Sequence, residues 1–217
     1  PFDLSMAPLF RAALVDTPDF TAIVCDFHHI VVDNRSLMIL EKEFLALDEG
    51  RELPPLGLTY SDFVVWEQQP WRKDEMAKQE QFWLDMFDGG AGPLDLPYDH
   101  PAATGNVFEG GFVDFRFTPE ETRALKDFAA GTDATLFMVL VAVYHVFISK
   151  LTGQSDIVFG TPVAGRFHPD LESIVGIFIN TLALRNVSNP ALRFDRFLAH
   201  VKENTVSAFD NQEYPFE

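Results

Sequence analysis

Residues 134–153, ATLFMVLVAVYHVFISKLTG, are apolar on almost every side when wound as a helix. A surface helix keeps a polar face, so this one is predicted to be a central helix, buried all round. Other elements must then be layered about it. His145 within it is expected to be a core histidine rather than a ligand. Nowhere does the chain run for the roughly 18 uninterrupted apolar residues of a bilayer span, so no membrane association is expected.

The remaining pattern supplies those layers. LFRAALV, the turn DTPD and FTAIVCDF read as two strands with a short connection. Leu37, Leu40, Phe44 and Leu47 recur at helical spacing before Gly50, which predicts a helix over 36–48 with one buried face. A Pro-containing connector leads to a short helix near 60–68, and DEMAKQEQFWLDMF forms another with Phe82, Trp83, Met86 and Phe87 turned inward. GGFVDFRF alternates as a strand. PEETRALKDFAAG is a helix with Pro119 in its first turn. DIVFGTPVAG and FINTLALRNV read as strands, and RFDRFLAHVKENTVSAFDN closes the chain as a helix. Strands and helices alternate throughout, so the fold class is α/β or α+β. Between 88 and 106, DGGAGPLDLPYDHPAATGN has turn residues and no periodicity, which marks a boundary or crossover.

Charge narrows the partners. Thirty-three acidic and 16 basic residues give a net charge of −17, which argues against nucleic acid, whose phosphates demand Lys and Arg. The first 100 residues hold 19 acids and 7 bases, the rest 14 and 9. A solvated acidic surface accounts for this. The single cysteine, Cys25, excludes internal disulfides, fits a reducing compartment, and is expected to be a small buried hydrophobe. The opening PFDLSMAPLF has no basic stretch followed by an apolar core, so no secretory signal is read there.

Against this background HHIVVDN (28–34) is out of place, since it puts two histidines and an aspartate into the apolar run TAIVCDFHHIVVDNRSL. Four readings compete. The histidines could cap a strand end structurally. A metal site would need further convergent ligands, yet no HExxH, CxxC or second His/Cys cluster is present, and adjacent strand residues point to opposite faces. Covalent catalysis lacks a GxSxG elbow or a cue for activating Cys25. General-base chemistry by one histidine suits the pattern best, because an imidazole titrates near neutrality. Asp33, past the bend, is better placed to lock the loop than to react, and buried it would want a cationic partner.

HHIVVDN resembles the HHxxxDG motif of condensation domains from nonribosomal peptide synthetases. Taken alone the motif is shared with other carrier- and CoA-dependent acyltransferases. PFDLSMAPLFRAAL, LTYSDFVVWEQ, FWLDMFDGGAGPLDLPYDHP, GQSDIVFGTPVAGRFHPDLESIVGIFINTLALR and NQEYPFE resemble further family segments, in family order, across essentially the whole chain. The resemblance implies two chloramphenicol-acetyltransferase-like halves, with 1–98 part of the N-terminal and 99–217 part of the C-terminal half, and a tunnel between them. It implies amide formation: an acyl thioester on an upstream donor carrier is attacked by the amine on a downstream acceptor carrier. Both substrates hang on phosphopantetheine, the domain binds no cofactor or metal of its own, and an adenylation domain belongs to the same cytoplasmic synthetase.

By the same resemblance His29 is the catalytic residue. His28, Asp33 and Asn34 support it, and Ser36, Arg166, Asn180 and Thr181 line the tunnel or position substrate. Other readings of these residues remain: Arg166 as a solvated turn residue, and Asn180 as a partner for backbone at a strand end. His168 and His200 are expected to face solvent.

Two departures stand out. Asn34 replaces the glycine of HHxxxDG and Arg35 the aromatic beside it, where glycine would allow positive φ and a close approach of substrate. The family's RHExxLRT segment, whose arginine would pair with the motif aspartate, does not occur in the chain. The expectation is therefore a fragment, inactive alone, with the partner of Asp33 outside it. A non-catalytic module of the same fold, recruiting carrier or tailoring proteins, is the alternative.

Overall fold

The computed structural model describes residues 1–100 and 110–216. The two opening strands, β1 (Phe10–Asp16) and β2 (Thr21–Phe27), pair antiparallel with Phe10 opposite Phe27 and Asp16 opposite Thr21. Helix α1 (Asn34–Asp48) follows, then α2 (Tyr60–Glu67) and α3 (Pro70–Met86). After the connector come α4 (Pro119–Gly131), α5 (Leu136–Thr152), β3 (Asp156–Val163), a 3-10 turn at Pro169–Leu171, β4 (Asn180–Val187) and α6 (Phe194–Asp210). The chain is a mixed helix and strand fold with two separate two-stranded sheets among the described residues.

Local chemistry accounts for most boundaries. Thr59, Thr118 and Thr135 cap α2, α4 and α5, each accepting from the backbone N–H three residues on. Pro119 occupies the first turn of α4, where its missing N–H costs nothing. Gly153, at φ 74°, ends α5 in a left-handed turn.

The main core lies where α5 and α6 cover one face of the β3–β4 pair and α4 packs on α5. Val139, Val141 and Ala142 of α5 meet Leu182 and Leu184 of β4 and Phe197, Leu198 and Val201 of α6. His145 sits inside this core, fully buried against the Phe197 ring at 4.9 Å between centroids, as expected of a core histidine. A smaller cluster of Leu171, Ile174 and Phe178 packs on Tyr60 and Phe63 of α2 and becomes important at the site.

Four expectations are corrected. Helix α5 is not buried all round: Phe137, Leu140, Tyr144, Phe147 and Leu151 form an exposed stripe. One hairpin and two helices cover a single side of it among the described residues. Helix α1 forms where its spacing predicts, but Leu37, Phe44 and Leu47 are exposed while Ser36 and Ala46 are buried. No described layer lies over that apolar face, and every residue of β1 is exposed. Cys25, in the same hairpin, is exposed for the same reason. GGFVDFRF is not a strand; Phe112 is 98% exposed, because a strand exists only through pairing and no described segment pairs with it. Of the expected boundary at 88–106, residues 101–109 lie outside the described residues. No single described helix is long and apolar enough to cross a membrane.

Candidate active site

The histidine pair lies just past the end of β2, in a turn rather than on the strand. His28 N–H donates to Leu9 O at 3.0 Å, the last cross-strand bond, and Val31 N–H returns to His28 O at 3.1 Å. Strand alternation therefore does not set the two rings; the turn does. His28 is half-buried, its Nδ1 accepting from Ile30 N–H at 3.1 Å, with the Phe2 ring edge-on at 6.0 Å. His29 is exposed, and its imidazole has no hydrogen-bond partner among the described residues. One histidine is thus tied into the turn and the other is presented.

Asp33 closes the turn from below. Its carboxylate caps α1, Oδ1 accepting from Ser36 N–H at 2.7 Å, and its side chain is 4% exposed. The cation such a buried carboxylate requires is present in the chain: Arg166, 1% exposed, places Nη2 3.2 and 3.3 Å from the two oxygens. Phe178 N–H donates to Oδ2 at 3.1 Å. Burial alone would raise the carboxyl pKa, but donation from Ser36 and Phe178 and the Arg166 charge outweigh it and hold the group below the ordinary aspartate value. Both the expectation of a partner outside the chain and the picture of a solvated Arg166 are thereby corrected.

Arg166 does more than neutralise Asp33. Nη1 donates to Leu171 O and, at 2.7 Å, to Ile174 O, while Nη2 donates to Ser36 Oγ at 3.0 Å. Its guanidinium lies over the Phe178 ring, 4.2 Å from the centroid. Ser36 Oγ donates to Gly176 O at 2.7 Å and accepts from Gly176 N–H at 3.0 Å, so its one donor and two acceptor sites are all in use. Ser36 and Arg166 join the start of α1 to the 165–178 segment; Ser36 has no free group to offer a ligand, and of Arg166 only Nε, buried, has no partner among the described residues.

Two glycines admit this arrangement. Gly165 has φ 65°, and a Cβ there would overlap the Phe178 carbonyl. A Cβ on Gly176 would overlap the Tyr60 ring, which lies flat on it and donates through its hydroxyl to Ile177 O at 2.9 Å. Tyr60 and Phe63 also pack on Phe178, at 5.2 and 4.8 Å between centroids. Sequence reading passed over Tyr60, Gly176 and Phe178, because a glycine that faces an aromatic is recognisable only once the two are folded together.

Asn34 is the first residue of α1, exposed, with an ordinary negative φ; Asp133 is the one described non-glycine at positive φ. The turn does not demand a glycine at this position. Beside it Arg35 Nη2 lies 2.7 Å from Glu172 Oε2. Asn180 uses its whole amide on backbone: Nδ2 donates to Gln212 O and Tyr214 O at 2.8 and 2.7 Å, and Oδ1 accepts from Thr181 and Phe216 N–H at 2.8 and 3.2 Å. It fastens the closing strap, 211–216, to β4. Gln79 and Arg72 of α3 fasten the same strap, Arg72 pairing with Glu213 at 2.6 Å. Thr181 lines a cavity of about 760 Å³ with Trp83, Phe87, Val158, Ala183 and Tyr214. The histidines do not line it.

The structure thus brings His28, His29, Asp33, Ser36 and Arg166 into one region and puts Asn180 and Thr181 on the strap side of Phe178. His168 and His200 face solvent as expected. Among the described residues no group of three or more His, Cys, Asp or Glu side chains converges as a metal site.

Known proteins resemble this chain in sequence and in fold. Over all 218 aligned residues the chain is 45% identical to tyrocidine synthase 3 of Brevibacillus parabrevis, matching 100% of this chain and 3% of that protein. Among solved structures, the X-domain from teicoplanin biosynthesis in complex with OxyB superposes with a TM-score of 0.87 at 22% identity, over 99% of this chain and 50% of that one. The first condensation domain of the calcium-dependent antibiotic synthetase gives 0.68 at 24% identity, over 95% and 47%. The chain therefore spans about half of the domains it superposes on and a small part of the synthetase. The family model for the condensation domain matches residues 1–217, and the chain belongs to that family.

Proposed function

We propose that this chain is part of a peptide-bond-forming condensation domain and that His29 acts on the acceptor amine. The observation that carries the reading is the division of labour in the turn: Asp33 is locked by Arg166, His28 is engaged by Ile30 N–H, and His29 alone presents a free imidazole to solvent. Residues 1–98 and 99–217 are assigned to the N- and C-terminal halves, and the complete domain supplies what these residues lack.

In the reaction the amine nitrogen attacks the thioester carbon on the donor carrier. The C–N bond forms, the C–S bond breaks, the amine gives up a proton, and the thiolate of the donor phosphopantetheine leaves and is protonated. An α-amine titrates near 8, so a fair share is already neutral. His29 takes the proton as the bond forms, or orients the amine and stabilises the tetrahedral intermediate. Partners are the donor and acceptor carriers and the adenylation domain of one cytoplasmic synthetase. No resident cofactor is required.

A second reading is recruitment of a partner protein by a catalytically silent domain. It is favoured by Asn34, which stands exposed at the start of α1 where the family motif has glycine, and by the close superposition on an X-domain solved with OxyB. One experiment separates the two. The complete domain is mixed with an acylated donor carrier and an aminoacylated acceptor carrier, and intact mass follows the acyl group. The catalytic reading expects transfer by the parent and a loss of roughly 10²–10⁴-fold in His29→Ala. No transfer by the parent, with both carriers still bound, supports recruitment.

A further inference from the structure

The histidine turn and the 165–178 segment are joined by two ion pairs of opposite sense. The turn gives a carboxylate, Asp33, to Arg166, and two residues on gives a guanidinium, Arg35, to Glu172. The first pair is buried; the second spans 137 positions with side chains 47% and 49% exposed. Exposed pairs add little to global stability, so the second pair is not needed to keep the fold.

Its placement is nevertheless specific. Arg35 lies in the first turn of α1, where the helix dipole disfavours a cation. Unpaired, it would weaken the start of the helix; paired with Glu172 at 2.7 Å it becomes a second attachment. Asp33 and Ser36 fasten the buried side of the helix start, and Arg35 adds an attachment on its exposed side. The His29 ring has no partner among the described residues, so the backbone alone places it. That backbone is held by β2 at one end and by the first turn of α1 at the other.

We propose that Arg35 and Glu172 are positioning residues: a salt-sensitive clasp that orders the turn carrying His29. The proposal rests on the role given above to His29, and its test is built so that the two can fail separately. Amide hydrogen exchange at residues 28–37 and the rate of carrier-to-carrier transfer are measured on the complete domain for the parent, Arg35→Ala, Glu172→Ala and the charge swap Arg35→Glu/Glu172→Arg. Glu172→Ala leaves the cation unpaired and is expected to have the largest effect. In it, exchange at 28–37 quickens and kcat falls roughly two- to fivefold with little change in KM. The swap returns both towards the parent, and about 1 M salt brings parent exchange to the level of the single variants. Parent-like exchange in the single variants, or a swap no better than either, overturns the clasp. If exchange follows the expected pattern while the parent transfers nothing, the clasp stands and the role of His29 fails.

Discussion

Arg166 and Asp33, 133 residues apart in the chain, meet with their side chains almost wholly sealed from water. This contact turns two distant segments into one floor beneath the histidine turn. Arg166→Ala is expected to destabilise the protein by about 3–5 kcal/mol, because it strands a buried carboxylate and leaves the Leu171 and Ile174 carbonyls without their donor. Arg166→Lys should restore only part of this, since an ammonium cannot reach four partners in one plane. Urea unfolding of the three proteins checks both values.

The same carboxylate fixes the acid side of the stability curve. Asp33 titrates lower in the folded chain than in the unfolded one. Its contribution is therefore complete above the unfolded value near 3.9 and is lost as pH falls through the lowered folded value. Asp33→Asn should be less stable than the parent at neutral pH, and the gap should narrow below about pH 4. Thermal melts from pH 2.5 to 7 read the difference.

His145 works in the opposite direction along the pH axis. Neither ring nitrogen has a hydrogen-bond partner among the described residues, and burial holds its pKa below the ordinary histidine value, against the pull of the Ser155 backbone and Asp156. The unfolded chain takes up a proton on this ring near about pH 6.5, and the folded chain takes it up only at lower pH. Stability from this group is full above that pH and falls as pH drops below it, by at most about 1.4 kcal/mol per pH unit. His145→Leu should flatten that part of the profile in denaturant titrations between pH 5 and 7.5.

Asn180 is expected to act through the strap. Asn180→Asp replaces two donated hydrogen bonds with a carboxylate oxygen facing the Gln212 and Tyr214 carbonyls. A loss of about 2 kcal/mol should follow, with limited proteolysis moving into 211–216. Asn180→Ala should loosen the same segment with a smaller loss. A variant that kept the strap protected yet lost transfer would show direct contact with substrate instead.

Periodicity and stop or first-turn residues made most helices legible, and the β1–β2 pair followed from the DTPD turn between them. The failures share one cause. Burial of Leu37, Phe44, Phe147 or Cys25 and pairing of GGFVDFRF all depend on what lies opposite, which a one-dimensional pattern does not contain. The site shows the same limit. HHIVVDN pointed to general-base chemistry and Asp33 asked for a cation, but Arg166 answered from a segment whose proximity only the fold supplies. Tyr60 and Gly176 went unread because a ring lying on a glycine leaves no spacing signature.

The staple between residues 33–36 and 165–178 also bears on how such synthetases can be recombined. A chimaera joined anywhere from 37 to 164 takes the two ends of the staple from different parents. Arg35 would then meet whatever the other parent carries at 172, and the fit of Ser36 against Gly176 would be left to chance. Donor segments exchanged as a matched set, with both stretches inherited from one ancestor, keep the floor under the histidines intact.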